Sequence, residues 1–295
     1  MNGPLEPGAT IAPGYEVLEH LSRGRRLDVY DVWSEERGTR CVIKALRPDR
    51  SHEEGPRRSL AREGELLERF THPHIVRAYE TLDDPPLIVL ETLPGETLDV
   101  IVEDPDTRLS APELAHLGMH IASAIRYMHG QGVLHLDLKP SNVIAAGQLA
   151  KLIDLSLVRP PGPAPPGIGT WLYMAPEQAR GGSLGPPVDV WGLGVVLYEM
   201  AAGEPPFDDP DYEGVSTSDD RESSSEGDEP PYPQLDAIAP RLGDRRDDLP
   251  SSLSSLVSAC LDPDPDRRPD IEEVLARLEV IAEVPASVRR WSRET

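Results

Sequence analysis

The sequence predicts an α+β fold, with a small antiparallel sheet and one helix first and a larger, mainly helical part after it. Three observations point there. Up to Glu91 the apolar residues recur mostly in short alternating runs, the period of strands. Within that region only residues 57–70 place their apolar side chains at helical spacing. From Ser110 onward the apolar period is that of helices, several of them long.

Residues 15–21 and 27–33 alternate apolar and polar side chains. Glu36-Arg37-Gly38-Thr39 reads as a turn, and residues 40–46 form a third run. Three short strands in a row predict an antiparallel meander. The helix over 57–70 carries Leu60, Leu66, Leu67 and Phe70 on one face and stops before Thr71-His72-Pro73. A fourth strand is expected to open at 72–76 and a fifth to span 86–91. Ser110-Ala111-Pro112-Glu113 is a capping box with proline in the first turn. Leu114, Leu117, Ile121, Ile125 and Met128 then mark one buried face, and Gly130-Gln131-Gly132 ends the helix. Residues 188–200 are nearly all apolar and predict a central, buried helix. Asp189 within it needs hydrogen-bond partners, because a lone buried carboxylate is costly. Leu253, Leu256, Val257, Cys260 and Leu261 share a further helix face. Asp270 caps a last helix with Val274, Leu275 and Leu278 inside.

The chain has 295 residues, 38% of them apolar, enough for one large domain or two lobes. Its formal charge of -23 argues against binding nucleic acid or an anionic membrane through charge. Residues 208–248 hold 14 acids against 4 bases. The Ser-rich stretch 208–233 cannot bury enough area to order itself and reads as an acidic disordered insertion. No run of about 18 apolar residues exists to span a membrane. Residues 1–14 are Pro/Gly-rich, without the apolar run of a signal peptide. Cys41 and Cys260 lie far apart, outside any metal spacing, as expected of buried thiols in a reducing cytoplasm. The richness in Ala, Gly, Pro, Arg and Asp is that of a GC-rich bacterial genome.

The densest chemistry lies in His135-Leu136-Asp137-Leu138-Lys139-Pro140-Ser141-Asn142, with Asp154-Leu155-Ser156 downstream. Asp137 can accept a proton from a hydroxyl, and Lys139 can hold a phosphoryl oxygen. Asn142 and Asp154 offer the hard oxygen donors that Mg²⁺ prefers.

The string His-x-Asp-Leu-Lys-Pro-x-Asn resembles the catalytic loop of the Hanks-type protein kinases, and Asp-Leu-Ser stands where that family has Asp-Phe-Gly. Other motifs fall in order around it. Val42-Ile43-Lys44 resembles the strand that carries the nucleotide-binding lysine, and Glu63 stands ten residues before Pro73, where the family places its ion-pair partner. Gly169-Thr170-Trp171-Leu172-Tyr173-Met174-Ala175-Pro176-Glu177 resembles the substrate-docking end of the activation segment. The resemblance covers about residues 13–280. It implies a two-lobed kinase fold: a flexible N-terminus over 1–12, a first lobe over 13–91, a hinge over 92–95, a second lobe over 96–280 and a tail over 281–295.

The resemblance also implies ATP and Mg²⁺, with Mn²⁺ as an alternative, and protein substrates carrying Ser or Thr; it carries no oligomeric state. Asp137 would be the base, Lys139 the neutraliser of the γ-phosphoryl group, and Thr170 their partner. Asn142 and Asp154 would hold the metal, and Lys44, anchored by Glu63, the α- and β-phosphates. Gly24, Val29, Val42, Leu90, Glu91, Leu93, Glu96 and Ile144 would line the nucleotide, Leu90 as gatekeeper and Glu91 and Leu93 through their backbone. Glu177 should pair with Arg268, and Asp189 with backbone groups of the catalytic loop.

Three departures stand against the family pattern. The flap Leu21-Ser22-Arg23-Gly24-Arg25-Arg26-Leu27 keeps only Gly24 of its glycines, and its arginines are either phosphate contacts or solvated hairpin charges. Leu136 stands where many kinases carry the arginine that binds an activation-segment phosphate. Up to Gly169 the segment has Ser156 as its only hydroxyl, and Pro160, Pro161, Pro163, Pro165 and Pro166 stiffen it. Activity without phosphorylation of this loop is therefore expected. The degraded flap and Asp-Leu-Ser suit a nucleotide-binding scaffold without transfer activity; the complete set of site residues suits an enzyme. A small-molecule kinase is disfavoured by the Ala-Pro-Glu segment.

Overall fold

The computed structural model describes residues 3–104, 106–207, 232–287 and 289. The acidic insertion expected over 208–233 lies outside the described residues up to 231, as do Trp291 and Arg293 of the tail. The chain divides into two units: Met1–Pro94 with Asp154–Ser156, and Gly95–Ile153 with Leu157–Thr295.

The first unit is a six-stranded sheet with one helix. Its elements are β1 (Thr10–Ala12), β2 (Tyr15–Arg23), β3 (Leu27–Ser34), β4 (Thr39–Leu46), α1 (Glu54–Arg69), β5 (Ala78–Asp83) and β6 (Pro86–Glu91). The order is β1-β2-β3-β4-β6-β5, and every neighbour is antiparallel. Alternation along the strands puts Val17, Tyr30, Val32, Cys41, Ile43, Leu87 and Val89 in one buried cluster. Helix α1 buries Leu60, Leu66 and Leu67, the face its spacing predicts, together with Glu63.

Two expectations are corrected here. Residues 1–12 are not merely a flexible lead-in: Thr10–Ala12 adds a strand, and the Leu5 N–H donates to the Tyr30 hydroxyl at 3.1 Å. The fourth strand does not open at 72–76. Pro73 lacks an N–H, Ile75 N–H closes a turn onto His72 O at 3.2 Å, and pairing starts at Ala78 opposite Leu90.

The second unit is mainly helical. It begins with β7 (Glu96–Thr97), α2 (Leu98–Glu103) and α3 (Ala111–Gly130). The catalytic-loop sequence runs into a short 3₁₀ turn (Pro140–Asn142), followed by β8 (Val143–Ala146) and β9 (Leu149–Leu152). Then come β10 (Gly162–Ala164), α4 (Pro176–Arg180), β11 (Gly182–Leu184) and α5 (Pro187–Ala202). After the undescribed stretch follow α6 (Pro233–Asp236), α7 (Leu242–Arg245), α8 (Ser251–Cys260) and α9 (Ile271–Ile281). Pro233 thus belongs to a helix, one residue inside the range read as insertion.

The α3 capping box is formed: the Glu113 carboxylate accepts from Ser110 N–H (2.8 Å) and Ser110 Oγ–H (2.6 Å). Asp270 caps α9 by accepting from Glu273 N–H at 2.8 Å. Helix α5 is buried on all sides from Val188 to Ala201, as its apolar run predicts. Gly192 on α5 is required by packing, since a Cβ there would lie 2.8 Å from Cβ of Leu138 in the catalytic loop. No helix among the described residues is long and apolar enough to cross a membrane.

Both cysteines are free and buried. Burial pushes the Cys260 thiol up to about 12 and raises Cys41 as well, so both stay protonated and unreactive. Neither is expected to react with Ellman's reagent in the native protein at pH 8, and both should react in denaturant. Stoichiometric labelling before unfolding would contradict this packing.

Candidate functional site

The site residues fall into two clusters, one in each unit. In the first unit, strand β4 carries Lys44 and helix α1 carries Glu63. Lys44 Nζ lies 2.8 Å from Glu63 Oε1 and 3.3 Å from Asp154 Oδ2. The Leu155 N–H donates to the same Glu63 oxygen at 3.3 Å. Burial alone would lower the Lys44 ammonium, but the carboxylates of Asp154 and Glu63 outweigh it and hold it well above the ordinary lysine value. The lysine is therefore a fixed cation. Burial raises the Glu63 carboxyl, and Lys44 pulls it back.

Gly24, Val29, Val42, Leu90, Glu91 and Leu93 belong to this unit as well. Val29 stands opposite Lys44, and Val42 opposite Leu90. The Glu91 N–H donates to Arg77 O at 3.0 Å. The flap is held by a residue outside it: Arg47 Nη1 donates to Gly24 O (3.1 Å) and Arg25 O (3.2 Å), and Arg47 N–H to Arg26 O (2.9 Å). Arg23 lies 3.3 Å from Asp28, which is buried, so this arginine is more than a solvated hairpin charge.

In the second unit, Asp137, Lys139, Asn142 and Thr170 come together. Thr170 Oγ–H donates to Asp137 Oδ1 at 2.6 Å. Lys139 Nζ donates to Thr170 Oγ at 3.0 Å and lies 3.6 Å from Asp137 Oδ2. Asn142 Nδ2 donates to Asp137 O (2.9 Å) and Asp137 Oδ2 (3.1 Å). One carboxylate is thus oriented by a hydroxyl, an amide and a nearby ammonium. Glu96 and Ile144 lie apart from these four, in the small β7-β8-β9 sheet, where Glu96 is opposite Ala145 and Thr97 opposite Ile144.

Asp189 holds the loop that carries Asp137. It accepts from His135 N–H and Leu136 N–H, each at 2.9 Å, and from His129 Nε2 at 2.8 Å. These bonds fix Leu136 at φ 69, a left-handed conformation rare for a side chain of this size. The backbone partners are those the sequence implies; His129 was not foreseen, because one histidine in the last turn of a helix has no pattern that singles it out. Glu177 and Arg268 form a two-pronged ion pair, Nη1 to Oε1 at 2.6 Å and Nη2 to Oε2 at 2.9 Å. Two buried glutamines, Gln178 and Gln234, also hold backbone groups of this region and escaped the sequence reading.

Carboxylate and amide oxygens are the donor type a hard cation prefers. Asp154 carries carboxylate oxygens in the first unit and Asn142 an amide oxygen in the second, and no three His, Cys, Asp or Glu side chains among the described residues gather into a metal cage.

The family described as the protein kinase domain matches residues 15–278. The chain is similar to the probable serine/threonine-protein kinase PkwA of Thermomonospora curvata, 30% identical over 287 residues, covering 93% of this chain and 35% of PkwA. It is 35% identical over 207 residues to the SNF1-related protein kinase catalytic subunit alpha KIN12 of Arabidopsis thaliana, covering 68% of this chain and 42% of the relative. The chain therefore spans less than half the length of these curated relatives. The crystal structure of the Mycobacterium tuberculosis PknI kinase domain has the same fold, with a TM-score of 0.68 at 24% identity, covering 95% of this chain and 100% of that one.

Proposed function

The chain belongs to the protein kinase family, and from that premise we propose that it transfers the γ-phosphoryl group of ATP to serine or threonine hydroxyls of protein substrates, with Mg²⁺ required. The observation that carries this reading is the Asp137 carboxylate, oriented by Thr170 and Asn142 beside Lys139.

Phosphoryl transfer is catalysed by position and electrostatics rather than by covalent chemistry. Asp137 orients the acceptor hydroxyl and takes its proton. Lys139 offsets charge on the transferring group. Lys44, kept cationic by two carboxylates, holds the α- and β-phosphates. Asn142 and Asp154 would hold Mg²⁺, which when bound neutralises phosphate charge. Thr170, whose hydroxyl touches both Asp137 and Lys139, favours serine or threonine as the acceptor.

The activity is proposed to be independent of activation-segment phosphorylation. Leu136 is buried where an arginine would await a phosphate. The segment is tied down by other means: β10 pairs with β11, and Arg159 Nη2 donates to Pro163 O at 2.7 Å. Protein freed of phosphate by a phosphatase is expected to retain its initial rate of ³²P transfer from [γ-³²P]ATP to a generic protein acceptor. Loss of that rate, traced to a phosphate between residues 154 and 177, would overturn this part.

A second reading, a nucleotide-binding scaffold without transfer, is favoured by one observation. The Gly24 N–H, the kind of group that would meet a phosphate, already donates to Leu27 O at 2.8 Å, and Gly24 is the flap's only glycine. Nucleotide-dependent melting with no label in any acceptor, with Mg²⁺ or Mn²⁺, would select it.

A further inference from the structure

We propose that Gln178 and Gln234 are positioning residues. Their buried side-chain amides hold the substrate-docking strip, residues 168–175, in its working shape without a phosphate. The inference rests on the kinase reading above and names the means by which the second unit would dispense with activation.

The strip brackets Thr170, and it is held at both ends and in the middle. Gln178 is 2% exposed. Its Oε1 accepts from Ala175 N–H at 2.8 Å, and its Nε2 donates to Ile168 O at 2.7 Å and to Leu136 O at 2.8 Å. One amide therefore ties the start of the strip, its end and the catalytic loop together. It reaches the carbonyl of Leu136, the residue that stands in place of a phosphate-binding arginine. Gln234 is 1% exposed, and its Nε2 donates to Trp171 O (2.8 Å) and Met174 O (3.1 Å). Its Oε1 has no hydrogen-bond partner among the described residues.

The backbone is shaped to admit the first amide. Gly169 has φ 125, and a Cβ there would lie 2.9 Å from Gln178 Nε2 and 3.0 Å from Leu136 O. A side chain at 169 would occupy the place where the amide crosses from strip to loop. Buried carbonyls that lose their donor stay unsatisfied, so each amide favours one geometry strongly. Neither amide titrates or carries charge. An Arg–phosphate clamp works only after modification, whereas this one is present as soon as the chain folds.

The test uses the full chain, phosphatase-treated, with mass spectrometry confirming no phosphate between 154 and 177. Hydrogen exchange of peptides covering 168–175 is measured in wild type, Gln178→Leu and Gln234→Leu. The Michaelis constants for ATP and for a protein acceptor are measured beside it. In wild type the strip is expected to be protected. Each variant should lose that protection and raise the acceptor KM by about tenfold, with the KM for ATP unmoved. A purely structural role would lower melting without splitting the two constants. Unprotected exchange of the strip in dephosphorylated wild type would overturn the proposal, and this arm needs no variant to fold. Unchanged exchange and unchanged acceptor KM in Gln178→Leu would overturn it too. Should wild type transfer no phosphate at all, the kinase reading fails, while the exchange data still decide what the two amides hold.

Discussion

Asp137→Asn is expected to lower phosphoryl transfer to a protein acceptor by roughly 10²–10⁴-fold, the usual contribution of a positioned general base. The substitution keeps the size of the side chain and removes the proton acceptor. The carboxylate now accepts from Thr170 through Oδ1 and from Asn142 through Oδ2. An amide has one acceptor oxygen, so it keeps one of these bonds and presents an N–H to the other partner. The loss should appear in kcat, because Lys44 and Glu63 belong to a separate cluster and are untouched. Initial rates with [γ-³²P]ATP, beside a melting curve, check both halves. Equal labelling by wild type and variant would remove Asp137 from the chemistry.

What could be read from the chain follows from how locally each feature is encoded. Lys44 lies within a strand that the run over 40–46 announces and Glu63 lies on a helix with a plain face, so both elements were predictable, and the structure puts the two side chains 2.8 Å apart. Asp189 was legible for a different reason: a carboxylate inside an apolar helix must find donors, and it finds His135 and Leu136. The small strands of the second unit were not legible, because two to four residues are too few to show alternation. The grip on the flap was invisible too. Arg47 lies some twenty positions from the carbonyls it binds, and a backbone acceptor has no signature in side-chain sequence. The same holds for Gln178 and Gln234, whose partners are nearly all carbonyl oxygens.

Arg268→Met is expected to cost about 3–5 kcal/mol of folding stability, the range for breaking a buried ion pair by removing one partner. That is a large share of the roughly 5–15 kcal/mol that hold a domain folded. The Arg268 side chain has no solvent exposure, and Glu177 is 16% exposed. Besides its two bonds to Glu177, the guanidinium donates to Asp262 O and Pro187 O at 2.8 and 2.9 Å and lies 5.0 Å over the Trp191 ring. The variant would strand a carboxylate and two carbonyls at once. Lysine at this position should recover little, since a single ammonium cannot match the fork. The double variant Glu177→Gln, Arg268→Met should recover part of the loss, because the stranded charge is then gone. Urea unfolding of wild type, Glu177→Gln, Arg268→Met and the double variant measures the coupling. A loss below about 1 kcal/mol in Arg268→Met would mean that the pair is no more than a surface contact. Glu177 and Gln178 are neighbours on α4, so the same variant should also loosen the amide grip on residues 168–175, and acceptor binding should weaken before the domain unfolds.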